Sequence, residues 1–150
     1  MFENLTMKDT YSRKMKYLMI DGKQLTVEIK DEISGACFNG TRDKLKLSLI
    51  RSEDSAYFSF LEQLYQKLLA EFKNFHCPIS QQKYTKLIID LDRSKIYFIN
   101  KKYPLNKPQI KDLFESRRCV SGKVKFSLYY HDNEIFLIST VETLTVGNEV

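Results

Sequence analysis

The chain has 150 residues, of which 24 are Lys or Arg and 19 are Asp or Glu, giving a formal net charge of +5. Hydrophobic residues make up 43% and charged residues 29%, a balance that excludes an intrinsically disordered protein. No apolar run approaches the roughly 18 residues that a membrane span requires. We therefore expect one globular domain over residues 1–150, with the polar residues 1–12 loosely held.

The three cysteines, Cys37, Cys77 and Cys119, are separated by 40 and 42 residues. Their odd number and wide spacing match neither a disulfide framework nor a zinc-binding motif. The N-terminal segment also lacks the apolar stretch of a signal peptide. These features predict an intracellular protein without a bound metal.

The first third of the chain is strand-like. Residues 14–20 and 23–30 have strand composition, and the Asp21-Gly22 pair between them favours a tight turn. Two glycines within residues 33–43 predict a break. Residues 44–50 then alternate strictly, as a half-buried strand requires. One face of that strand carries Leu45, Leu47 and Leu49, and the other carries Lys44, Lys46 and Ser48.

One long helix is predicted over residues 52–75, "SEDSAYFSFLEQLYQKLLAEFKNF". Its first residues are Ser, Glu and Asp, which suit a helix N-terminus, and it must end before Pro78. Apolar residues recur at helical spacing and predict the buried face. They are Tyr57, Leu61, Leu64, Tyr65, Leu68 and Phe72.

After the helix the strand pattern returns. Residues 84–92 and 94–100 predict two strands that pair with or near each other across a turn at "DRS". A loop and a short helix follow, with Pro108 in the first turn of the helix. Residues 122–146 predict a long hairpin that turns at Asp132-Asn133. The alternation in its first strand predicts one face with Val124, Phe126, Leu128 and Tyr130 and the other with Lys123, Lys125, Ser127 and Tyr129. The fold class is therefore mostly β with one long helix.

Groups that could perform catalysis are few. His76 is adjacent to Cys77, but neighbouring side chains seldom face each other as a nucleophile and base must. Asp90 and Asp92 lie on one face of the predicted strand and could bind Mg²⁺ in a nuclease, although a turn at the strand end explains them equally well. Phosphate-binding glycine loops are absent from the sequence. We expect no enzyme activity, with a metal-dependent nuclease kept as an alternative.

Positive charge is concentrated in residues 93–125, which hold ten Lys or Arg and only two acids. This segment therefore has a charge of +8, and the remainder of the chain has −3. Tyrosines are interspersed with these cations. A positive groove with free aromatic rings is what a single-stranded nucleic acid requires, because the groove follows the phosphates and the rings stack on bases.

The candidate nucleic-acid-binding residues are cations and tyrosines of this segment, Tyr129 further along the strand that carries Lys123 and Lys125, and a second basic strip from residues 44–50. A solvated lysine face is the alternative interpretation for any single one of them. The candidates are Lys44, Lys46, Lys95, Tyr97, Lys101, Lys102, Tyr103, Lys107, Arg117, Arg118, Lys123, Lys125 and Tyr129.

Two stretches, "LKLSLIRSEDSAYFSFLEQLYQKLL" and "VSGKVKFSLYYHDNEIFLISTVETLTV", carry a resemblance to a known family. Three strands, a helix and further strands resemble the order of the OB-fold. Over residues 14–146 the chain resembles the small single-stranded DNA-binding proteins of phages and large DNA viruses. The resemblance implies a partly open, OB-like β-barrel with the helix between strands 3 and 4. It also implies sequence-tolerant binding without cofactor or catalysis.

The expected partner is single-stranded DNA, bound during replication or recombination in the cytoplasm or nucleus of a host. The sequence does not separate DNA from RNA, because the side chains that read the 2′-hydroxyl cannot be placed. Long alternating strands leave edges that a homodimer would cover. Neither a membrane nor a small-molecule substrate is expected. The alternative partner is an acidic protein, which would make the chain a viral accessory interaction module with a basic surface.

Overall fold

The computed structural model describes residues 2–38, 44–50, 55–76 and 84–149. Within these ranges the chain forms nine strands and two helices. In chain order they are β1 Leu5–Asp9, β2 Met15–Ile20, β3 Lys23–Gln24, β4 Thr26–Phe38, β5 Lys44–Ile50, α1 Ala56–Glu71, β6 Tyr84–Asp90, β7 Lys95–Phe98, α2 Lys107–Leu113, β8 Arg118–His131 and β9 Glu134–Glu149. None of the helices in the described part is long and apolar enough to cross a membrane.

The nine strands belong to one sheet that is built around β8. One edge of β8 pairs with β9 along its length, whereas the other edge pairs first with β4 and then with β2. Strands β5 and β6 continue the sheet beyond β4, β1 and β3 flank β2, and β7 lies parallel to β9. The sheet does not close on itself, so the fold is the mostly β, open OB-like architecture that was predicted.

Alternating residues give the sheet one apolar side. On β5 the three leucines are buried and the lysines between them are half-buried. On β8 the side chains of Val124, Phe126 and Leu128 are buried in the same way. Both predicted face assignments are confirmed, because side chains two residues apart on a strand point to the same side.

Two tight turns set the register of the flanking strands. Asp21 and Gly22 have φ angles of 51° and 79°, and Asp132 and Asn133 have φ angles of 48° and 65°. Positive φ at both central residues is typical of the type I′ turn, which matches the twist of a β-hairpin. Both predicted turns are therefore confirmed.

Helix α1 covers the apolar side of the sheet. Its N-cap is Ser55, whose side chain accepts a hydrogen bond from the backbone N–H of Phe58, and it ends before Pro78 as predicted. Phe60 stacks on Phe126 of β8 with ring centroids 5.7 Å apart. The helix follows the third predicted strand, now β5, and precedes the fourth, now β6. Its buried residues are Tyr57, Phe58, Leu61, Leu64 and Leu68.

The predicted break after residue 32 is wrong for the described residues. Strand β4 continues to Phe38 and pairs with β5, with an irregularity in register between Ile33 and Gly35. A β-bulge absorbs one extra residue and bends the strand, and glycine suits such a position. The glycine was therefore a sign of a bulge rather than of a chain break.

Strand β7 differs from the prediction in its partner. The turn over residues 91–93 is present, but β7 pairs in parallel with β9 and not with β6. The register places Ile96 beside Leu144 and Phe98 beside Val146. Ile96, Leu144 and Val146 are buried, so the pairing extends the core at this edge of the sheet.

The N-terminal segment, expected to be loosely held, contains β1, which pairs with β2 from Leu5↔Ile20 to Asp9↔Lys16. Most of its side chains are exposed, which is why its composition resembles that of a loop. The buried Phe2 ring packs edge-on against Phe60 of α1, with centroids 5.2 Å apart, and holds the segment to the core.

The predicted short helix is α2, and it closes one end of the core. Asn106 and Gln109 form a reciprocal capping box, and Pro108 lies in the first turn. Ile110 and Phe114 are buried and lie near Ala36 of β4. The loop between β7 and β8 is therefore anchored at both ends.

Candidate nucleic-acid interface

The side of the sheet that faces away from α1, here called the outer face, carries most of the predicted residues. Lys123 and Lys125 alternate on β8 with the buried Val124 and Phe126 and so project to this side. Residues paired across neighbouring strands lie on the same face. The register pairs Lys95 with Thr143 and Tyr97 with Thr145, and Thr145 is paired in turn with Ser121.

A groove of about 720 Å³ runs along the outer face at the junction of β3, β4, β8 and β9. Three lysines contribute to it, of which Lys23 follows the Asp21-Gly22 turn. The strand that carries Lys95 and Tyr97 is hydrogen-bonded to β9 at the edge of the groove. The lining residues are Lys23, Gln24, Thr26, Ser121, Gly122, Lys123, Lys125, Glu142, Thr143 and Thr145.

Carboxylates neutralise part of this positive charge. Lys125 Nζ lies 2.7 Å from Glu142 Oε1 within the groove. Arg117 forms a 2.6 Å ion pair with Glu32 of β4, and Lys123 is the cross-strand partner of Glu28. Lys95 and Lys123 are both exposed, and these two side chains are the most accessible of the predicted cations on β7 and β8.

The second basic strip lies on the outer face of β5. Lys44 is paired with Asp90, and Lys46 is paired with Cys37 on one side and Ile88 on the other. Strand β4 separates β5 from β8, and Lys46 is paired with Cys37 whereas Lys123 is paired with Glu28, nine positions and about 30 Å away along β4. The two strips therefore share a face of the sheet but lie at distant places on it.

Three further predicted residues lie in a different place. Lys101, Lys102 and Tyr103 line a cavity of about 560 Å³ between the β7–α2 loop and α2, here called the loop pocket. The Tyr103 side chain is 82% exposed. Lys107 begins α2 and is exposed, but it does not line this pocket. The sequence-predicted site is therefore divided between the outer face and the loop pocket.

The Arg118 side chain forms hydrogen bonds with backbone carbonyls of the protein. Its Nε donates to the carbonyl of Leu113 at 2.6 Å, and an Nη donates to the carbonyl of Gly147 at 3.2 Å. The guanidinium lies 5.9 Å from the ring centroid of Phe98. These contacts join the end of α2 to β9 and β7, so the charge of Arg118 is engaged within the protein.

Aromatic residues on the outer face include two that sequence reasoning missed. Tyr129 is paired with Phe136 of β9 and with Met15 of β2, and Tyr17 of β2 is paired with Ser127. Phe136 could have been found, because a two-residue turn at Asp132-Asn133 fixes its pairing with Tyr129. The sequence carries no comparable signal for Tyr17, since β2 and β8 are distant along the chain.

The residues considered for catalysis do not converge. Strand β6 ends at Asp90, whose Oδ1 accepts the backbone N–H of Asp92 at 3.1 Å. Asp92 therefore lies in the turn and not on a shared strand face, contrary to the prediction. Across the described ranges no three His, Cys, Asp or Glu side chains form a metal-binding group. Cys77 lies outside the described residues.

Two groups beneath α1, the half-buried Asp31 and the buried Tyr57, have shifted pKa values. Burial raises the pKa of Asp31, and a hydrogen bond from Ser55 partly offsets this. Burial also raises the pKa of Tyr57, with smaller contributions from Tyr65 and Asp31. Both groups lie on the opposite side of the sheet from the outer face, so a ligand on that face would not reach them.

Comparison with known proteins supports the fold. No protein family and no curated protein matches the sequence. The solved structure of the single-stranded DNA-binding protein from bacteriophage Enc34 superposes with a TM-score of 0.54 at 7% identity, covering 99% of this chain and 92% of that one. A C-terminal truncation of the Enc34 protein gives a TM-score of 0.53 at 8% identity, covering 100% and 98%. At these identities the likeness shows a common fold.

Proposed function

We propose that this protein binds single-stranded DNA along the outer face of its sheet, without catalysis and with tolerance of sequence. The observation that carries the proposal is the strand register, which gathers Lys95, Tyr97, Lys123, Lys125 and Tyr129 on one side of β7, β8 and β9. The common fold with a phage single-stranded DNA-binding protein supports it. Such binding would serve replication or recombination, where single strands are exposed.

The charge distribution fits a phosphate backbone. Lys23, Lys123 and Lys125 line the groove, and Lys95 extends the positive surface to β7. Neutralising phosphates releases counterions from the nucleic acid, so binding of this kind weakens steeply with salt. Lys44 and Lys46 lie on the same face, but Lys46 is about 30 Å from Lys123 along β4, so they would meet only a strand long enough to extend beyond the groove.

The aromatic residues favour unpaired bases over a duplex. Tyr97 and Tyr129 are half-buried on the outer face, with Tyr97 two positions from Lys95 on β7 and Tyr129 four positions from Lys125 on β8. Base–aromatic stacking contributes about 1–3 kcal/mol per base and needs the flat face of a base, which is covered within a duplex. The combination of lysines and tyrosines is therefore suited to a single strand.

The test is the fluorescence anisotropy of labelled oligothymidine compared with a duplex of equal length, at low and at physiological salt. We expect a preference for the single strand, loss of affinity with salt, and quenching of tyrosine emission. A Lys95→Ala/Lys123→Ala variant should bind at least fivefold more weakly at roughly 0.1 M salt, since each lost phosphate contact costs about that factor.

The matched control is Lys67→Ala/Lys111→Ala, which removes the same charge from α1 and α2, away from the outer face. Equal losses in the two double variants would show that net charge, and not the outer face, governs binding. No binding of oligothymidine at low salt would contradict the proposal and favour an acidic protein as the partner of the basic surface. Oligouridine in the same assay would separate DNA from RNA.

A further inference from the structure

Both histidines of the chain lie at the tip of the β8–β9 hairpin. The His131 ring stacks on Tyr129 with centroids 5.9 Å apart and an interplanar angle of 17°. The His76 ring packs on Phe136 with centroids 4.9 Å apart. Because Tyr129 and Phe136 are cross-strand partners, the four rings follow one another across the hairpin. We call these four residues the ring row.

The ring row continues the outer face beyond the groove. Tyr129 and His131 project from the same side of β8 as Lys123 and Lys125, with no irregularity of register between Val124 and His131. Tyr129 is six positions after Lys123, which corresponds to about 20 Å along a strand. A single strand that follows the groove toward the hairpin tip would therefore reach the rings.

The rings are accessible and do not belong to the core. The His76 and His131 side chains are 53% and 50% exposed, and Tyr129 and Phe136 are half-buried. The opposite side of the hairpin contributes Leu128 and Ile135 to the core. The fold therefore does not need the ring row for burial, and its free ring faces are open to stacking with bases.

The histidines add a charge that depends on pH. Imidazole is the side chain that ordinarily gains its charge between pH 8 and pH 5. Asp132 lies 3.0 Å from His131 Nε2, and Glu134 lies 3.6 Å from His76 Nδ1. The neighbouring segments carry the exposed cations Arg13, Lys14 and Lys73, since the carbonyls of Lys14 and Asn74 accept from the backbone N–H groups of Tyr130 and Ile135.

We propose that the ring row is the base-stacking end of the single-stranded DNA site and that protonation of its two imidazoles tightens binding as pH falls. This inference rests on the proposed function. The rings supply stacking at any pH, whereas the imidazolium groups supply additional contacts to phosphates below neutral pH.

The first test measures oligothymidine affinity at pH 8 and pH 5.5, since thymine does not change its charge over this range. We expect the affinity of the unmodified protein to rise by up to about fivefold per histidine at 0.1 M salt. The slope of log affinity against log salt should steepen by up to about 1.4. The His76→Gln/His131→Gln variant should lose both effects and, because it lacks two of the four rings, should bind more weakly than the unmodified protein at pH 8.

The second test removes the rings at pH 8. Tyr129→Leu/Phe136→Leu should weaken binding by at least about fivefold, and thermal melting establishes that the variant is folded. The control is Tyr11→Leu, because Tyr11 is 96% exposed and lies outside the ring row.

The outcomes separate the two proposals. Unchanged affinity in the leucine variant, or pH dependence retained in the glutamine variant, would overturn the ring row while the unmodified protein still binds. Failure of the unmodified protein to bind oligothymidine would overturn the proposed function and this inference with it.

Discussion

The Lys125–Glu142 ion pair lies inside the groove, where its carboxylate opposes an approaching phosphate. Glu142→Gln removes that negative charge and frees Lys125. We expect the affinity for oligothymidine to rise by up to about fivefold at 0.1 M salt. Thermal stability should change little, because an exposed ion pair contributes only about 0–1 kcal/mol.

The control for this charge change is Glu115→Gln, since Glu115 is exposed beyond α2 and does not line the groove. Anisotropy titrations of both variants test the prediction. Equal tightening in the two would mean that only the net charge of the protein matters.

Asp31 is expected to make stability depend on pH. One of its carboxylate oxygens is buried without a hydrogen-bond partner, and burial raises its pKa. The native state therefore binds a proton more tightly than the unfolded state, so the free energy of unfolding falls as pH rises from about 4 through the raised native pKa. Asp31→Asn should remove this fall and raise the free energy of unfolding at pH 7 relative to that of the unmodified protein.

Urea unfolding at several pH values between 4 and 7 measures this effect. The control is Asp21→Asn, because Asp21 is exposed in the first hairpin turn. If the Asp31 and Asp21 variants keep the same pH dependence as the unmodified protein, burial of Asp31 has no bearing on stability.

Single residues were predictable from the sequence where alternation decides which way a side chain points. Lys123 and Lys125 were placed on the polar face of their strand because Val124 and Phe126 must be buried. Arg118 was not predictable, because its partners are backbone carbonyls of Leu113 and Gly147 that only the folded chain brings near.

At the scale of elements, the β8–β9 hairpin depends on a close approach at Gly122. A Cβ at this position would lie 2.7 Å from the carbonyl oxygen of Thr143. Gly122→Ala should force the strands apart beside the register irregularity that precedes Val124, at a cost of about 1–3 kcal/mol. Because Lys123 lies at that irregularity, affinity for oligothymidine should fall as well.

Gly35→Ala is the matched control, since a Cβ at the β4 bulge would meet no atom within 4 Å. We expect its free energy of unfolding to stay within about 0.5 kcal/mol of the original value. The free energies of unfolding of the two variants, measured by urea unfolding, test this prediction. A Gly122→Ala protein as stable as the Gly35→Ala protein would mean that β8 and β9 tolerate the extra atom.

Elements with a strong local pattern were predictable, and those defined by distant partners were not. Strand β5, helix α1 and the Asp132-Asn133 turn follow from alternation, helical spacing and turn chemistry. The parallel pairing of β7 with β9 joins segments almost 50 residues apart, and its four-residue length offers little periodicity. Similarly, β1 is an exposed edge strand and has the composition of a loop.

In the whole molecule, the cations are divided between the outer face and the loop pocket. The salt dependence of DNA affinity should show which of the two contacts the phosphates. Each phosphate contact contributes about 0.7 to the slope of log affinity against log salt for a single strand. Lys95→Ala/Lys123→Ala should therefore lower the magnitude of that slope by about 1.4. Lys101→Ala/Lys102→Ala removes the same charge from the loop pocket and should change the slope less.

A larger change of this slope in the Lys101→Ala/Lys102→Ala variant would indicate that the DNA contacts the loop pocket rather than the groove. This distinction could not be made from the sequence, because residues 93–125 form a continuous run of basic charge. The fold divides that run, since β7 pairs with β9, whereas the following loop packs against α2. A homodimer formed through the edges of β1 or β6 stays a prediction. Measurement of the molecular mass in solution would test it.

The most direct test of the central claim is photo-crosslinking of oligothymidine carrying one 5-iodouracil, with the attached peptides identified by mass spectrometry. We expect crosslinks at Tyr97, Tyr129 and Phe136, which share the outer face. Crosslinks confined to Tyr103 of the loop pocket, or to Tyr11, would contradict it and place the DNA elsewhere on the protein.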